Sequence, residues 1–330
     1  MQNNLADHFN SSQQIIFQAS QDQIYGFDSI VHPAFAEHYQ GITVAGKPYQ
    51  IAWKSVENGK TDLVEARTAN GLPFPENIRF EDTDQNEIPT EIVGNIARLT
   101  ITGVGDQVAY PIYAVETGDT IKLAGKLNII SYDPKPINLV VMPVNGASYP
   151  YTQDSLSTKL QTIFKPALGS LSVTLANNFD TNEFDGELDE ISTNLAQSYT
   201  REMKDLFQDF EDRNGILDDT YYIFLLPRFA VTDQLGYMPR KRKFGFVNHE
   251  QLNSNEDNYV KTIAHELSHG AFVLHHTFVQ HPQLVDNPTQ NLLDNSKTGT
   301  ILHKYQWDAV HDPSRAWVLF DEDEERGASE

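Results

Sequence analysis

HELSHGAFVLHH, His265 to His276, places four histidines and one glutamate in twelve residues of a chain with 11 histidines in all. On an α-helix, residues four apart lie about 40° from each other, so His265 and His269 can offer a ring nitrogen to one ion. Glu266 points off that spot, towards a place where it can take a proton from water beside the ion. That is the chemical logic of the H-E-x-x-H pattern. Imidazole suits zinc, Zn2+, which keeps an open position in catalytic sites. Chance alone produces this spacing in on the order of a few per cent of such chains. The context argues against chance: a β-type run precedes the pattern, apolar and small residues (Ile263, Ala264) lead into it, and more histidines follow.

A catalytic zinc usually takes a third protein ligand. Were the helix to run on, His275 would stand about 80° off the first ligand's face, and His276 within about 20° of it but roughly 16 Å further along. Neither would reach the ion. The chain must therefore turn after His269, and Gly270 is the residue expected to allow it through a left-handed conformation. Helical geometry leaves His275 and His276 equally eligible.

Upstream of the motif, strands and helices alternate from about Lys126. INLVVMPV (137–144) reads as a buried strand, and Asp154 as the N-cap of a helix that Pro166 stops. SLSVTLANN follows as a strand. DEISTNLAQSYTREMKDLFQDFEDR carries Ile191, Leu195, Tyr199, Met203 and Phe207 at steps of four, the core-facing stripe of one long helix. TYYIFLLP and RKFGFVN are two further strands, the second a sheet edge immediately before the motif helix. Before Lys126 the text is different: short β-type runs such as YQIAWKSV, ARLTITGV and AYPIYAVE, separated by turn residues, suggest a sandwich or barrel. The expected organisation is a β-rich N-terminal domain over residues 1–125 and an α+β domain with a mixed sheet over 126–330.

Composition narrows the function. With 330 residues and 39% hydrophobic residues the chain can bury a core or two. Its 46 acidic and 24 basic residues give a net charge of −22, which repels phosphate backbones and anionic membrane surfaces. Nucleic acid is not an expected partner, and no run is long and apolar enough for membrane insertion as a helix. The chain has no cysteine, so disulfides, thiolate zinc sites and cysteine nucleophiles are excluded. The N-terminus lacks the pattern of a cleaved secretory signal. The glycine patterns of nucleotide sites and the serine-hydrolase elbow are also missing.

HELSHGAFVLHHTF is similar to the extended zinc signature of metzincin metallopeptidases, and particularly to the pappalysin-like variant in which Thr-Phe follows the third histidine. Counted from His265, His275 has the metzincin spacing, but Phe272 stands where the signature has glycine. Counted back from Thr277-Phe278, the third ligand is His276, one residue further on. GYMPRKRKFGF and NLLDNSKTGTILHKYQWDAVHDP resemble the metallopeptidase domains of bacterial polymorphic toxins and effectors. There the histidine directly before Thr-Phe recurs, so the resemblance selects His276. It covers about Lys126 to Asp323 and implies a zincin (metzincin-like) fold with an active-site helix. It makes Asn291–Asp294 the counterpart of the Met-turn, with Leu293 in the methionine's place, a swap that conserves volume. That substitution leaves Asp286, Asp294 and His303 as other possible third ligands. A secreted or injected effector is implied, with the β-rich part serving delivery, folding or recognition; any delivery machinery or inhibitor is unknown.

Other residues have plainer explanations. His249 is a loop histidine, Trp307 belongs in a core, and His303 and Tyr305 lie on a C-terminal helix that can approach the metal. PRKRK (Pro239–Lys243) is the one basic run, either a charged loop or a contact for an acidic substrate. DTNEFDGELDE has its glycine out of register for an EF-hand. The expected function is a zinc-dependent endopeptidase acting on a protein or peptide, with Glu266 as general base and His265, His269 and His276 as ligands. The competing expectation is a binding or structural module with a non-catalytic zinc site.

Overall fold

The computed structural model describes residues 11, 13–189, 199–231, 234–252, 254–285, 289–294 and 298–316. They form two compact units, residues 1–134 with 166–168, and residues 135–165 with 169–330. The expected boundary at 125/126 falls inside a strand, Lys122–Tyr132, that belongs wholly to the first unit. The change of sequence texture at Lys126 therefore precedes the change of unit, because this strand is buried along most of its length and carries few turn residues.

The first unit contains β1 (Ile15–Ala19), β2 (Phe27–Asp28), β3 (Gly41–Val44), β4 (Lys47–Gln50), β5 (Ala52–Glu57), β6 (Thr61–Thr68), β7 (Ile78–Glu81), β8 (Thr90–Val93), β9 (Ile96–Thr102), β10 (Val108–Glu116) and β11 (Lys122–Tyr132). One sheet runs β1-β6-β9-β8 and a second β2-β5-β11-β10-β7, with β3-β4 a separate hairpin. Inward residues of both larger sheets (Ile15, Val64, Leu99, Ile112, Leu127, Ile129) share one apolar cluster, the sheet-on-sheet arrangement that short strands with a period of two favour. Within it, Lys54 on β5 pairs with Asp62, both side chains out of water. Asp62 also accepts the Ile24 and Tyr25 amides at 2.7 and 2.8 Å.

The second unit follows the order β12 (Lys135–Pro143), α1 (Gln153–Phe164), β13 (Gly169–Leu175), β14 (Glu187–Leu188), α2 (Arg201–Asn214), β15 (Thr220–Leu226), β16 (Arg228–Phe229), β17 (Gly236–Tyr237), β18 (Phe244–Asn248), α3 (Glu256–Phe272), α4 (Thr277–Gln280) and α5 (Lys304–His311). Its main sheet is β13-β12-β15-β18-β17. The first four strands are parallel, and β17 closes one edge antiparallel to β18. β15 and β18 are buried on both faces, as strands inside a parallel sheet must be. The expected edge, RKFGFVN, is thus interior; Gly236–Tyr237 folds back over it and takes the edge instead.

Two helices start at threonine caps and not where the sequence pattern placed them. The cap of α1 is Thr152, whose hydroxyl accepts the Ser155 amide at 3.2 Å, and Asp154 sits in the first turn. The cap of α2 is Thr200, so Tyr199 precedes the helix rather than riding on it, while Ile191 and Leu195 lie outside the described residues. Tyr199 instead donates its hydroxyl to the Phe244 carbonyl at 2.8 Å.

Helix α3 begins at Asn255, whose side chain accepts the Asn258 amide at 3.1 Å. Glu256 and Asp257 in its first turn complement the helix dipole. Almost every residue from Tyr259 to Phe272 is buried, so this is a central helix enclosed nearly all round. Phe272 packs edge-on against Phe164 of α1.

Candidate metal centre

The Nε2 atoms of His265, His269 and His276 form a near-equilateral triangle. His265 lies 3.0 Å from His276 and 3.1 Å from His269, and His269 lies 3.3 Å from His276. Among the described residues these three form one of the groupings whose ligand atoms converge closely enough to hold an ion. Two ring tautomers follow from the backbone. His265 Nδ1 donates to the Leu292 carbonyl at 2.8 Å, and His269 Nδ1 donates to the Leu274 carbonyl at 2.6 Å. With their protons on Nδ1, both rings turn a bare Nε2 lone pair inwards. Two lone pairs 3.1 Å apart repel each other, and a proton on His276 Nε2 could serve only one of them. His276 Nδ1 is buried with no hydrogen-bond partner among the described residues. The donor set fits a shared cation: tetrahedral nitrogens about 2.0–2.1 Å from zinc stand roughly 3.3–3.4 Å apart, slightly wider than this triangle.

Burial is the main cause that pushes all three imidazoles down, His269 to about 4 and His265 and His276 well below their ordinary range. For His265 and His276 the charge of a neighbouring histidine comes next. The rings are neutral at physiological pH, the form in which imidazole ligates metal.

The turn that delivers His276 is not at Gly270. The helix continues to Phe272, and Val273 takes the left-handed conformation at φ 59° and ψ 23°. Its amide bonds to the His269 carbonyl and that of Leu274 to the Ser268 carbonyl, each at 3.2 Å. The first of these is the 5→1 bond of an αL helix end, and the second reaches one residue further back than a Schellman closure would. A β-branched residue here costs of order 1–3 kcal/mol, yet the turn is what carries the Leu274 carbonyl onto His269. Gly270 has a different task. A Cβ there would lie 2.2 Å from Met238 Cε and 2.7 Å from the Arg242 carbonyl, so glycine is needed for close packing.

Thr277 and Phe278, which follow His276, each hold it in place. The Thr277 hydroxyl donates to the Asp294 carboxylate and its amide to the Leu293 carbonyl at 3.2 Å. Phe278 stacks on the His276 ring, centroids 4.9 Å apart and planes 15° apart. The loop Asn291–Asp294 is thereby a common support for two of the rings, through Leu292 to His265 and through Leu293 and Asp294 to Thr277. It is fixed from beneath by Asn291, whose side-chain amide pairs reciprocally with Gln306 of α5 at 2.7 and 3.1 Å. Leu292 and Leu293 are fully buried.

Glu266 is buried beside the triad, and burial raises its pKa to about 8. Lys261 and the Met238 amide, which its carboxylate accepts, oppose that rise. A dication on the triad would oppose it further. Lys261 is itself buried, its Nζ 3.5 Å from the Asp294 carbonyl. The edge strand β17 lies flat on Glu266. A Cβ on Gly236 would stand 2.7 Å from Glu266 Oε1 and 2.8 Å from its Cγ.

His275 turns away from the triangle, and its Nδ1 meets Arg240 Nη1 at 2.9 Å. Asp294, an alternative ligand, is engaged by Thr277 and by Thr289, whose hydroxyl lies at 2.5 Å. Asp286 lies outside the described residues. His303 is buried at the start of α5 and stacks on Tyr305 at 6.3 Å. His249 Nδ1 meets the Tyr259 hydroxyl. Trp307 is core, its Nε1 donating to the Leu302 carbonyl at 2.8 Å. Gly236 and Met238 entered the sequence reading only within the resemblance of GYMPRKRKFGF, with no role attached, and the carbonyls of Leu274 and Leu292 carried no signal because backbone groups act through position alone.

No family model matches the chain, and no curated protein matches it. Solved structures give only faint likenesses. A sialyltransferase from Photobacterium damsela matches at TM-score 0.19 and 12% identity, over 54% of this chain and 35% of that one. The I9–I11 tandem of titin matches at TM-score 0.18 and 9% identity, over 39% and 65%. Dex49A from Penicillium minioluteum matches at TM-score 0.19 and 9% identity, over 55% and 31%. The chain thus spans about a third of the sialyltransferase, and these scores are too low to relate the folds.

Proposed function

We propose that the second unit is a zincin-like, zinc-dependent endopeptidase with His265, His269 and His276 as ligands and Glu266 as general base. The observation that carries this reading is the convergence of three Nε2 atoms, two of them bared by Nδ1 bonds to backbone carbonyls, next to a buried carboxylate. When bound, zinc supplies Lewis acidity, polarising a scissile carbonyl and lowering the pKa of water at its open position. Glu266 takes the proton of the attacking water and passes it to the leaving amine. The Met238 amide and the flat Gly236 backbone fix the direction in which its carboxylate points. Among the described residues β17 pairs with β18 alone, so an extended peptide can add along its other side, with main-chain bonds holding the scissile bond over the triad.

Metal analysis of wild type and Glu266→Ala, with cleavage of a broad peptide library, tests this. About one zinc per chain in both proteins and cleavage by the wild type alone is the expected result. Zinc without cleavage would make the centre a non-catalytic one, and a chain that takes up no zinc would end the proposal.

A further inference from the structure

Both edges of the main sheet meet glutamine side chains, in two different ways. On β13 the Ala176 amide bonds the Val141 carbonyl of β12 at 2.9 Å, so the alternate residues Gly169, Leu171, Val173 and Leu175 turn their main-chain groups outward. Gln161 of α1 bridges two of them like a short piece of strand. Its amide donates to the Gly169 carbonyl at 2.7 Å, and its oxygen accepts the Leu171 amide at 3.0 Å. Gln153 accepts the Leu175 amide at 3.1 Å. A strand arriving at β13 would have to displace all of these bonds, a common protection of sheet edges.

On β17 the Asn248 amide bonds the Leu235 carbonyl at 2.9 Å, so in the antiparallel register that sets Gly236 opposite Val247 both main-chain groups of Gly236 point away from β18. The outward carbonyl accepts the side-chain amide of Gln234 at 3.1 Å. The outward N–H has no partner among the described residues. Gln234 is anchored by its backbone, whose carbonyl accepts the side-chain amide of the buried Asn248 at 3.2 Å. Its side chain is tied, among the described residues, by the one bond to Gly236. The same glycine lies on Glu266, so the outward groups of Gly236 adjoin the carboxylate.

Resting on the peptidase reading above, we propose that Gln234 is a displaceable guard of the substrate edge: its amide holds, in the free protein, the place on the Gly236 carbonyl that a main-chain N–H of an extended peptide takes on binding. One neutral hydrogen bond has a small net worth, so a peptide that brings its own N–H removes the guard at modest cost. A proline at that place brings no N–H, leaves the guard seated and is refused. Gln234 is in this account a specificity residue. It takes no part in the proton transfers, and the firmer glutamine clips on β13 leave β17 as the edge that accepts a strand.

The full-length protein is tested with fluorescent octapeptides from the library and with the same octapeptides methylated on one main-chain nitrogen at a time. Affinity is read by fluorescence anisotropy on Glu266→Gln, with Gln234 kept or changed to Ala, and cleavage on the chain with Glu266 intact. Gln234→Ala should bind the unmethylated peptide about 2- to 10-fold more tightly, the range set by the net worth of one neutral hydrogen bond. In cleavage KM should fall with kcat retained. Methylation at one position should weaken binding and make the two chains bind alike, because that peptide has no N–H for the Gly236 carbonyl. Should Gln234→Ala fail to fold, Gln234→Met, which keeps the length and lacks the donor, should give the same gain; misfolding of both overturns the proposal and makes the glutamine structural. Equal or weaker affinity in Gln234→Ala also overturns it, absent binding included, as does a gain that persists in every methylated peptide. Cleavage without that gain ends the guard and leaves the peptidase reading standing. The gain in binding without cleavage of any peptide supports the guard while the peptidase reading alone fails.

Discussion

Gly236 and Glu266 touch across the edge of the sheet: any side chain at 236 would need the space that the Glu266 carboxylate fills, with Cβ 2.7 Å from Oε1. Gly236→Ala should therefore leave the three histidines in place and move the carboxylate proposed as the base. A displacement near 1 Å can cost about 10²-fold in rate. We expect kcat/KM to fall by about that factor at unchanged zinc content. Loss of zinc together with activity would show that the contact supports the whole centre and not the carboxylate alone.

His276→Ala and His275→Ala should part sharply, although the residues are adjacent. The first removes one corner of the Nε2 triangle, the second a ring whose Nδ1 faces Arg240. Zinc retained after dialysis against a chelator should drop to background in His276→Ala. In His275→Ala it should persist with an affinity lowered at most 10–100-fold, the range for outer partners of metal sites. The opposite ranking, measured by competition with a chromogenic chelator, would assign the ligand to His275.

Thr277→Val keeps the shape of the side chain and deletes the hydroxyl that donates to Asp294. Asp294 is 1% exposed, so its carboxylate loses a donor that water cannot readily replace, at about 1–3 kcal/mol. Thermal unfolding should come earlier by roughly 2–4 °C per kcal/mol, and zinc affinity should fall because His276 rides on the same turn. A Tm equal to wild type would mean that the bond is dispensable to the fold.

The residues of this centre also mark how far the sequence could be read. The helical step from His265 to His269 and the neighbouring carboxylate were visible because they follow from 3.6-residue periodicity alone. The third corner was not, since the turn is made by Val273, a residue type that rarely adopts positive φ, whereas Gly270, the obvious candidate, is a packing glycine. Thr277 and Phe278 were legible only as a pattern by resemblance; their bonds to Asp294 and stacking on His276 give that pattern a physical cause. Alternation of strand and helix from INLVVMPV onward led to the mixed sheet. The edge strand escaped notice because β17 spans two residues, too short for any period.

Alkaline pH should unfold the chain through its phenols. Burial raises Tyr49, Tyr151 and Tyr199 well above the ordinary 10.0. In the unfolded chain these groups ionise near 10, while in the folded chain they keep their protons, so above pH 10 the folded state binds more protons. Stability is then fully present below about pH 10 and falls as pH rises beyond it, by about 1.4 kcal/mol per pH unit for each such tyrosine. Because Tyr49 lies in the first unit and Tyr151 and Tyr199 in the second, both units should lose stability in this range. Phenolate absorbance followed alongside circular dichroism should show exposed tyrosines titrating first and the buried ones only as the fold is lost. Titration of all the tyrosines near 10 with the dichroism unchanged would mean that these side chains are not buried as described.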